Sequence, residues 1–333
     1  MYTIADEKTR IQELITIAHR SYDRCLTAGC GGNISVRLDD NRFLISRSGS
    51  SLGFLAEDDI VSMSCSGEKI SGTGKPSSEA PVHAAIYRAL RPGAILHTHP
   101  PVISALAISG TPFRPIIFEH SVVLGDVPVI PQQSPNIINS DELIEPLKNN
   151  KVLILQHHGV ITIGDTLLDA FLLNDLLEAS AKTIVSAGDI GRMTPLPDIS
   201  SKRGRKLPEG VEFFSAQHAR FARESANSDR ELASLGKSSG FSTDMRLRLN
   251  DDAQDWLLAL REGKIEEIVF NDRKRVSVFT FSATKEVWER VFRGKIPFFV
   301  AIYQGRMTME GDGRKLSEWY SACRLLFECL KIK

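Results

Sequence analysis

The sequence predicts a soluble α/β protein in two parts, and three observations carry this. A chain of 333 residues is longer than one typical core accommodates. Short apolar strands alternate with amphipathic helices from residue 7 to about residue 190. Composition then shifts between about 189 and 240, and a second pattern of strands and helices follows from 241 to 333.

The first element is a helix over 7–28, with Ile11, Leu14, Ile15, Ala18, Tyr22 and Leu26 at helical spacing; "AGCGGN" ends it. "ISVRL" (34–38), "RFLIS" (42–46) and "DIVSMS" (59–64) read as strands separated by polar turns. A helix beginning near Ser77 carries Val82, Ala85, Ile86, Ala89 and Leu90 on its apolar side. "GAILHTH" is a strand, and "PVISALAIS" a short helix with Pro101 in its first turn. "KVLILQHHGVITIG" reads as strand, tight turn, strand. Thr166 and Asp169 then form a capping box opening a helix that ends near Gly188.

Residues 191–240 read as a connector with one helix inside it, "EFFSAQHARFARESA". Beyond it, a helix is expected around Trp256–Leu260. "RLRLNDD", "EEIVFN", "VSVFTF" and "FFVAIYQG" are expected as strands, and "KLSEWYSACRLLFECL" as a single closing helix.

Composition narrows the function classes. The chain is 42% hydrophobic and 25% charged, as a globular protein is. Lys plus Arg balance Asp plus Glu at 41 each, so no overall basic field favours nucleic acid or an anionic membrane. Five cysteines without a CxxC pair fit reduced thiols and a cytoplasmic location better than a disulfide framework. "MYTIADEKTRIQELI" carries acids early and lacks an apolar segment, so it does not read as a signal peptide. No run of about 18 apolar residues suggests a membrane span.

The chemistry-bearing pattern is histidine at strand ends. On a strand, residues i and i+2 face one side, so His97 and His99 of "LHTHPP" aim at one point. Alone, such a pair is often two hydrogen-bonded turn residues. A second histidine turn, His157-His158-Gly159, directly follows the apolar run "VLILQ", and Glu79 sits early in a helix behind two serines. Three imidazoles and a carboxylate supply the donors of a catalytic Zn²⁺ site at roughly 2.0–2.2 Å, with a position left for substrate.

"AGCGGNISVR" (28–37), "SRSGSSLG" (46–53), "GKPSSEAPVHAAIY" (74–87), "LHTHPP" (96–101) and "QHHGVITIG" (156–164) together resemble the class II aldolase/adducin family over roughly residues 7–190. The resemblance implies an αβα domain with a mainly antiparallel sheet, here spanning 1–190. It implies His97, His99, His158 and Glu79 as metal ligands, with Glu79 also the catalytic acid/base. The metal would be Zn²⁺, with Mn²⁺, Fe²⁺ or Co²⁺ as alternatives. It implies Gly32, Asn33, Ser48, Gly49, Ser77 and Ser78 as the pocket for a substrate phosphate; taken singly, each is ordinary turn or N-cap composition. The implied reaction is reversible aldol cleavage of a small sugar phosphate through a metal-stabilised enediolate, by a homo-oligomer expected to be a tetramer.

One departure stands out. Characterised sugar-phosphate aldolases of the family place a tyrosine near the segment that here reads "IIFEHSVV" (116–123). This chain offers Glu119 and His120 there instead, either as catalytic groups at the aldehyde oxygen or as structural partners. The alternatives therefore stay open: a related epimerase, dehydratase or decarboxylase on the same site, or a non-catalytic binding module like the adducin branch, which lacks an intact metal set. Among the other histidines, His83 either orients Glu79 or is satisfied in the core. His157 sets its turn, while His19 and His218 are expected on helix surfaces.

Residues 241–333, through "VFRGKIPFFVAIYQGRMTMEGDGRKLSEW", resemble the SCP2 sterol-carrier fold and imply a small α+β domain. A hydrophobic ligand, a docking role and a structural appendage are its three readings.

Overall fold

Continuous apolar runs in the N-terminal strands mean burial on both faces, because alternate residues of a strand point to opposite sides. In the computed structural model, which describes residues 7–134, 139–196, 211–272 and 274–332, that is what the strands do. Most of the proline- and charge-rich stretch 192–210 and the end of 127–136 lie outside those residues. The chain divides into two units, Met1–Leu196 and Pro197–Lys333.

The first unit runs α1 (Glu7–Asp23), β1 (Asn33–Arg37), β2 (Arg42–Ser46), β3 (Ile60–Ser64), β4 (Lys69–Ser71), α2 (Ala80–Leu90) and β5 (Ala94–Thr98). It continues with α3 (Pro101–Ile108), α4 (Phe118–Leu124), β6 (Val129–Pro131), α5 (Asp141–Asn149), β7 (Val152–Gln156), β8 (Gly159–Gly164) and α6 (Leu167–Ile190). Its eight strands form one sheet in the order β4-β3-β2-β1-β5-β8-β7-β6. Every pairing is antiparallel except β6 with β7.

Ile95, Leu153, Leu155, Ile161 and Ile163 pack with Val82 and Ile86 of α2 and Leu143 and Leu147 of α5. Their neighbours face the other way. Ala94 and Leu96 meet Leu14 and Ile17 of α1 and Phe171 of α6, while Val152, Ile154 and Val160 meet Ile103 of α3 and Leu173 and Leu177 of α6. The result is an αβα sandwich with a mainly antiparallel sheet. The Thr166 capping box holds: its hydroxyl accepts from Asp169 N–H while the Asp169 carboxylate accepts from Thr166 N–H. Helix α1 stops at Asp23, short of the expected residue 28, because Cys25 turns into the left-handed region at φ 58°.

The second unit runs α7 (Ala216–Asn227), α8 (Arg230–Ser239), β9 (Thr243–Leu249), β10 (Asp255–Arg261), β11 (Lys264–Phe270), β12 (Phe279–Ala283) and α9 (Lys285–Phe292). It ends with α10 (Phe298–Tyr303), β13 (Thr308–Glu310), α11 (Gly313–Glu318) and α12 (Tyr320–Cys329). Its five-stranded sheet has the order β11-β10-β9-β12-β13, so this unit is α+β.

Several expectations are corrected here. The described residues of 191–240 carry two helices, not one, and both pack against elements of the second unit. The run "WLLAL" (256–260), expected as a helix, is the buried core of strand β10 between β9 and β11. An all-apolar run of that length has no periodicity to separate the two states, and pairing on both sides decides it. "FFVAIYQG", expected as a strand, forms α10, with Pro297 extended ahead of its first turn. The closing helix is two, α11 and α12, divided at Trp319.

His218, expected on a helix surface, is fully buried on α7. The other buried residues of that helix are Ala219, Ala222, Ser225 and Ala226, too small to mark an apolar stripe in the sequence. His218 Nδ1 accepts from Phe214 N–H at 3.1 Å, and the ring lies 4.9 Å from that of Trp256. Burial pushes its pKa down to about 4, so the folded unit holds it neutral.

Unfolding frees the imidazole to titrate near its ordinary 6.5. Its contribution to stability is therefore complete above that value and is lost as the pH falls towards 4, an effect of order 3 kcal/mol. His218→Gln keeps an acceptor without the titration. Denaturant melts between pH 6.5 and 4 should flatten in that variant, and an unchanged acid slope would show that another group sets it.

Candidate metal centre

His97 is the penultimate residue of β5, and His99 follows one residue past its end. His158 enters from the β7–β8 turn, where His157 takes φ 65° and so makes the tight reversal. Glu79 sits at the N-cap position of α2, beneath the same face of the sheet as His97. One ring nitrogen from each of His97, His99 and His158 lies within 4.8 Å of the others. His97 Nε2 and His99 Nε2 are 3.0 Å apart. Glu79 reaches His97 Nε2 with Oε2 and His158 Nε2 with Oε1, each at 3.4 Å.

The electrostatics suit cation binding. Burial, then repulsion from His99 and His158, holds His97 well below the ordinary imidazole pKa. Burial and His158 lower His99 likewise. Both rings are therefore neutral at pH 7, with lone pairs available. His97 Nδ1 donates to the Val160 carbonyl at 2.9 Å, which fixes the tautomer and turns Nε2 towards the cluster. Three imidazoles and an adjacent carboxylate fit a divalent cation. Among the described residues this is the only group of three or more His, Cys, Asp or Glu side chains arranged to hold one.

Close backbone approach makes the cluster possible. A Cβ on Gly159 would lie 2.3 Å from the Thr98 carbonyl oxygen and 2.5 Å from His99 Cδ2. Gly32, at φ +79°, would bring a Cβ within 2.7 Å of the His97 carbonyl oxygen.

The Class II Aldolase and Adducin N-terminal domain matches residues 12–185, just over half of the chain. The chain belongs to this family. An L-fuculose phosphate aldolase of Methanococcus vannielii is 34% identical over 174 residues, 52% of this chain and 93% of that protein. A 3-oxo-tetronate 4-phosphate decarboxylase of Haemophilus influenzae is 35% identical over 183 residues, 51% of this chain and 83% of that protein. Among solved structures, an L-fuculose 1-phosphate aldolase superposes with a TM-score of 0.53 at 28% identity, covering 59% of this chain and 93% of that one.

Three segments expected to form the phosphate pocket of a class II aldolase are stitched side by side. Ser48 N–H donates to the Lys75 carbonyl at 2.9 Å, Ser77 N–H to the Ser46 carbonyl at 3.3 Å, and Ile34 N–H to Ser46 Oγ at 3.3 Å. Those pairings use the Ser48 and Ser77 amides. Exposed Ser78, Gly49 at φ +78° and the Ser48 hydroxyl remain at the surface of the loops. Helix α2 starts at Ala80, three residues later than expected, so Ser77 and Ser78 lie ahead of it. Ser77 Oγ accepts from Glu79 N–H at 3.3 Å.

Asn33 has a place that spacing did not reveal. It is the cross-strand partner of His97, and its Nδ2 donates to Glu79 Oε2 at 2.8 Å. The same face of β1 continues the contact with α2: Ser35 Oγ meets His83 Nδ1 at 2.7 Å and Tyr87 OH at 2.8 Å. His83 is thus a core histidine, its pKa pushed down to about 3 by burial. The signal was periodicity: residues 33 and 35 on a strand against 79, 83 and 87 on a helix.

Glu119 and His120 lie on α4, Glu119 exposed and His120 half-buried. No hydrogen bond or ion pair among the described residues joins either to the three histidines. His19 Nε2 donates to the Leu55 carbonyl at 3.0 Å.

Proposed function

We propose that the N-terminal unit is a metal-dependent carbon–carbon lyase that reversibly cleaves a small sugar phosphate. The observation that carries this reading is the convergence of His97, His99 and His158 with Glu79 within reach of two of the rings. The donor set favours Zn²⁺, which when bound supplies Lewis-acid polarisation of a carbonyl oxygen. Glu79 is the group that gives or takes a proton at the substrate carbon, and Asn33 Nδ2 orients its carboxylate. Gly32, Asn33, Ser48, Gly49, Ser77 and Ser78 bound the place for the phosphate, and Glu119 or His120 handles the proton on the aldehyde oxygen. His120 Nδ1 is buried without a hydrogen-bond partner among the described residues, which supports a polar visitor there. No helix among the described residues is long and apolar enough to cross a membrane.

Decarboxylation of a phosphorylated 3-oxo acid is the second reading. The decarboxylase relative is as similar as the aldolase relative, and residues 116–123 hold no tyrosine. The test is to incubate the Zn²⁺-loaded chain with ketose 1-phosphates and with 3-oxo acid 4-phosphates. Aldehyde release without CO₂ supports the lyase on sugars, CO₂ release assigns the second reading, and neither product from either series contradicts both.

A further inference from the structure

Strand alternation splits the end of β5 between two helices. His97 faces α2 and Glu79, whereas Thr98 faces α6. On α6, Asn174 and Glu178 stand one turn apart and are almost wholly buried, at 0% and 1% exposure, on a mostly apolar helix face. Burying polar side chains of this kind is costly unless they find partners. Asn174 Oδ1 accepts from Thr98 Oγ1 at 2.9 Å, and Asn174 Nδ2 donates to Thr162 Oγ1 at 3.4 Å. Thr162 Oγ1 in turn donates to the Ala170 carbonyl at 2.8 Å, which ties the chain of bonds back into α6.

Glu178 acts on the backbone four residues beyond Thr98. Helix α3 has Pro100 at its N-cap position and so lacks a capping side chain. Glu178 supplies one from another helix: its two oxygens accept from Val102 N–H at 3.2 Å and Ile103 N–H at 3.0 Å. A carboxylate is also the favoured charge at a helix N-terminus. Between these two grips lie His99, Pro100 and Pro101. His99 needs them, because its only hydrogen-bonding contact among the described residues is with His97 inside the cluster, whereas His97 has the Val160 carbonyl.

We propose that Asn174 and Glu178 are positioning residues that hold the His99 ring in the metal-binding arrangement by clamping the backbone on either side of it. The proposal rests on the metal-dependent reading above. Outer-shell partners of ligands are worth roughly 10–100-fold in metal affinity, and here they act on the ligand's backbone.

The test uses the full chain stripped with chelator. Zn²⁺ affinity is read by competition with a chromophoric chelator, and ligand arrangement by the visible spectrum of the Co²⁺-loaded protein. Thr98→Val and Glu178→Ala should raise the Zn²⁺ Kd by about tenfold or more and alter the Co²⁺ spectrum. Thr98→Ser, which keeps the hydroxyl, and Glu178→Gln, which keeps an acceptor, should recover most of the affinity. Should Glu178→Ala not fold, Thr98→Val, nearly identical in shape to the parent, carries the test alone. A folded Thr98→Val with parental affinity and spectrum overturns the clamp while leaving the metal centre standing. A parent chain that binds no Zn²⁺ overturns both.

Discussion

Glu79→Gln should lower kcat by roughly 10²–10⁴-fold, the usual worth of a positioned general acid–base group. The amide is isosteric with the carboxylate, and its oxygen still accepts from Asn33 Nδ2, 2.8 Å away in the parent. What it loses is the ability to carry a proton. Metal content should therefore persist while hydrogen exchange at the donor carbon of the substrate, followed by NMR in D₂O, disappears. Exchange at the parental rate would remove Glu79 from the proton transfer, whatever its contact with His97 and His158.

The second large effect is expected at a residue with no side chain. In Gly159→Ala, the new methyl would meet the Thr98 carbonyl at 2.3 Å and His99 Cδ2 at 2.5 Å. Neither neighbour yields cheaply. The carbonyl belongs to β5, whose Thr98 pairs with Val160 of β8, and the ring belongs to the metal cluster. Overpacking of this kind costs about 1–3 kcal/mol, and it falls on the imidazole geometry directly. Zn²⁺ affinity should drop at least as far as in the clamp variants, with a lower denaturation midpoint. Gly188→Ala is the contrasting case. It lies within α6 with nothing inside 4 Å of the added Cβ, so it should be neutral or slightly stabilising on the same denaturation curve.

How legible these features were in the sequence depended on their range. The histidines were readable because two short-range rules place them: strand alternation at 97 and 99, and a tight turn straight after an apolar strand at 158. The N-terminal strands were readable because burial on both faces writes itself as runs such as "VLIL". The second unit was harder, since "WLLAL" and "FFVAIY" are apolar throughout and only their pairing and packing separate strand from helix. His218 was misplaced because small residues, three alanines and Ser225, line the rest of its buried face. Asn33 was visible as a turn residue, but its contact with Glu79 spans 46 positions and follows from the register of β1 against β5. Asn174 and Glu178 left a trace, two polar residues four apart among the leucines and alanines of a long helix, whose meaning needed the fold.

The most direct measurement of the central claim is the stoichiometry of Zn²⁺ binding to the chelator-treated full chain, by calorimetric titration, beside a variant with His97, His99 and His158 all changed to alanine. The account predicts one high-affinity ion per chain in the parent and none in the variant. Equal binding by the two, or no binding by the parent, would contradict it.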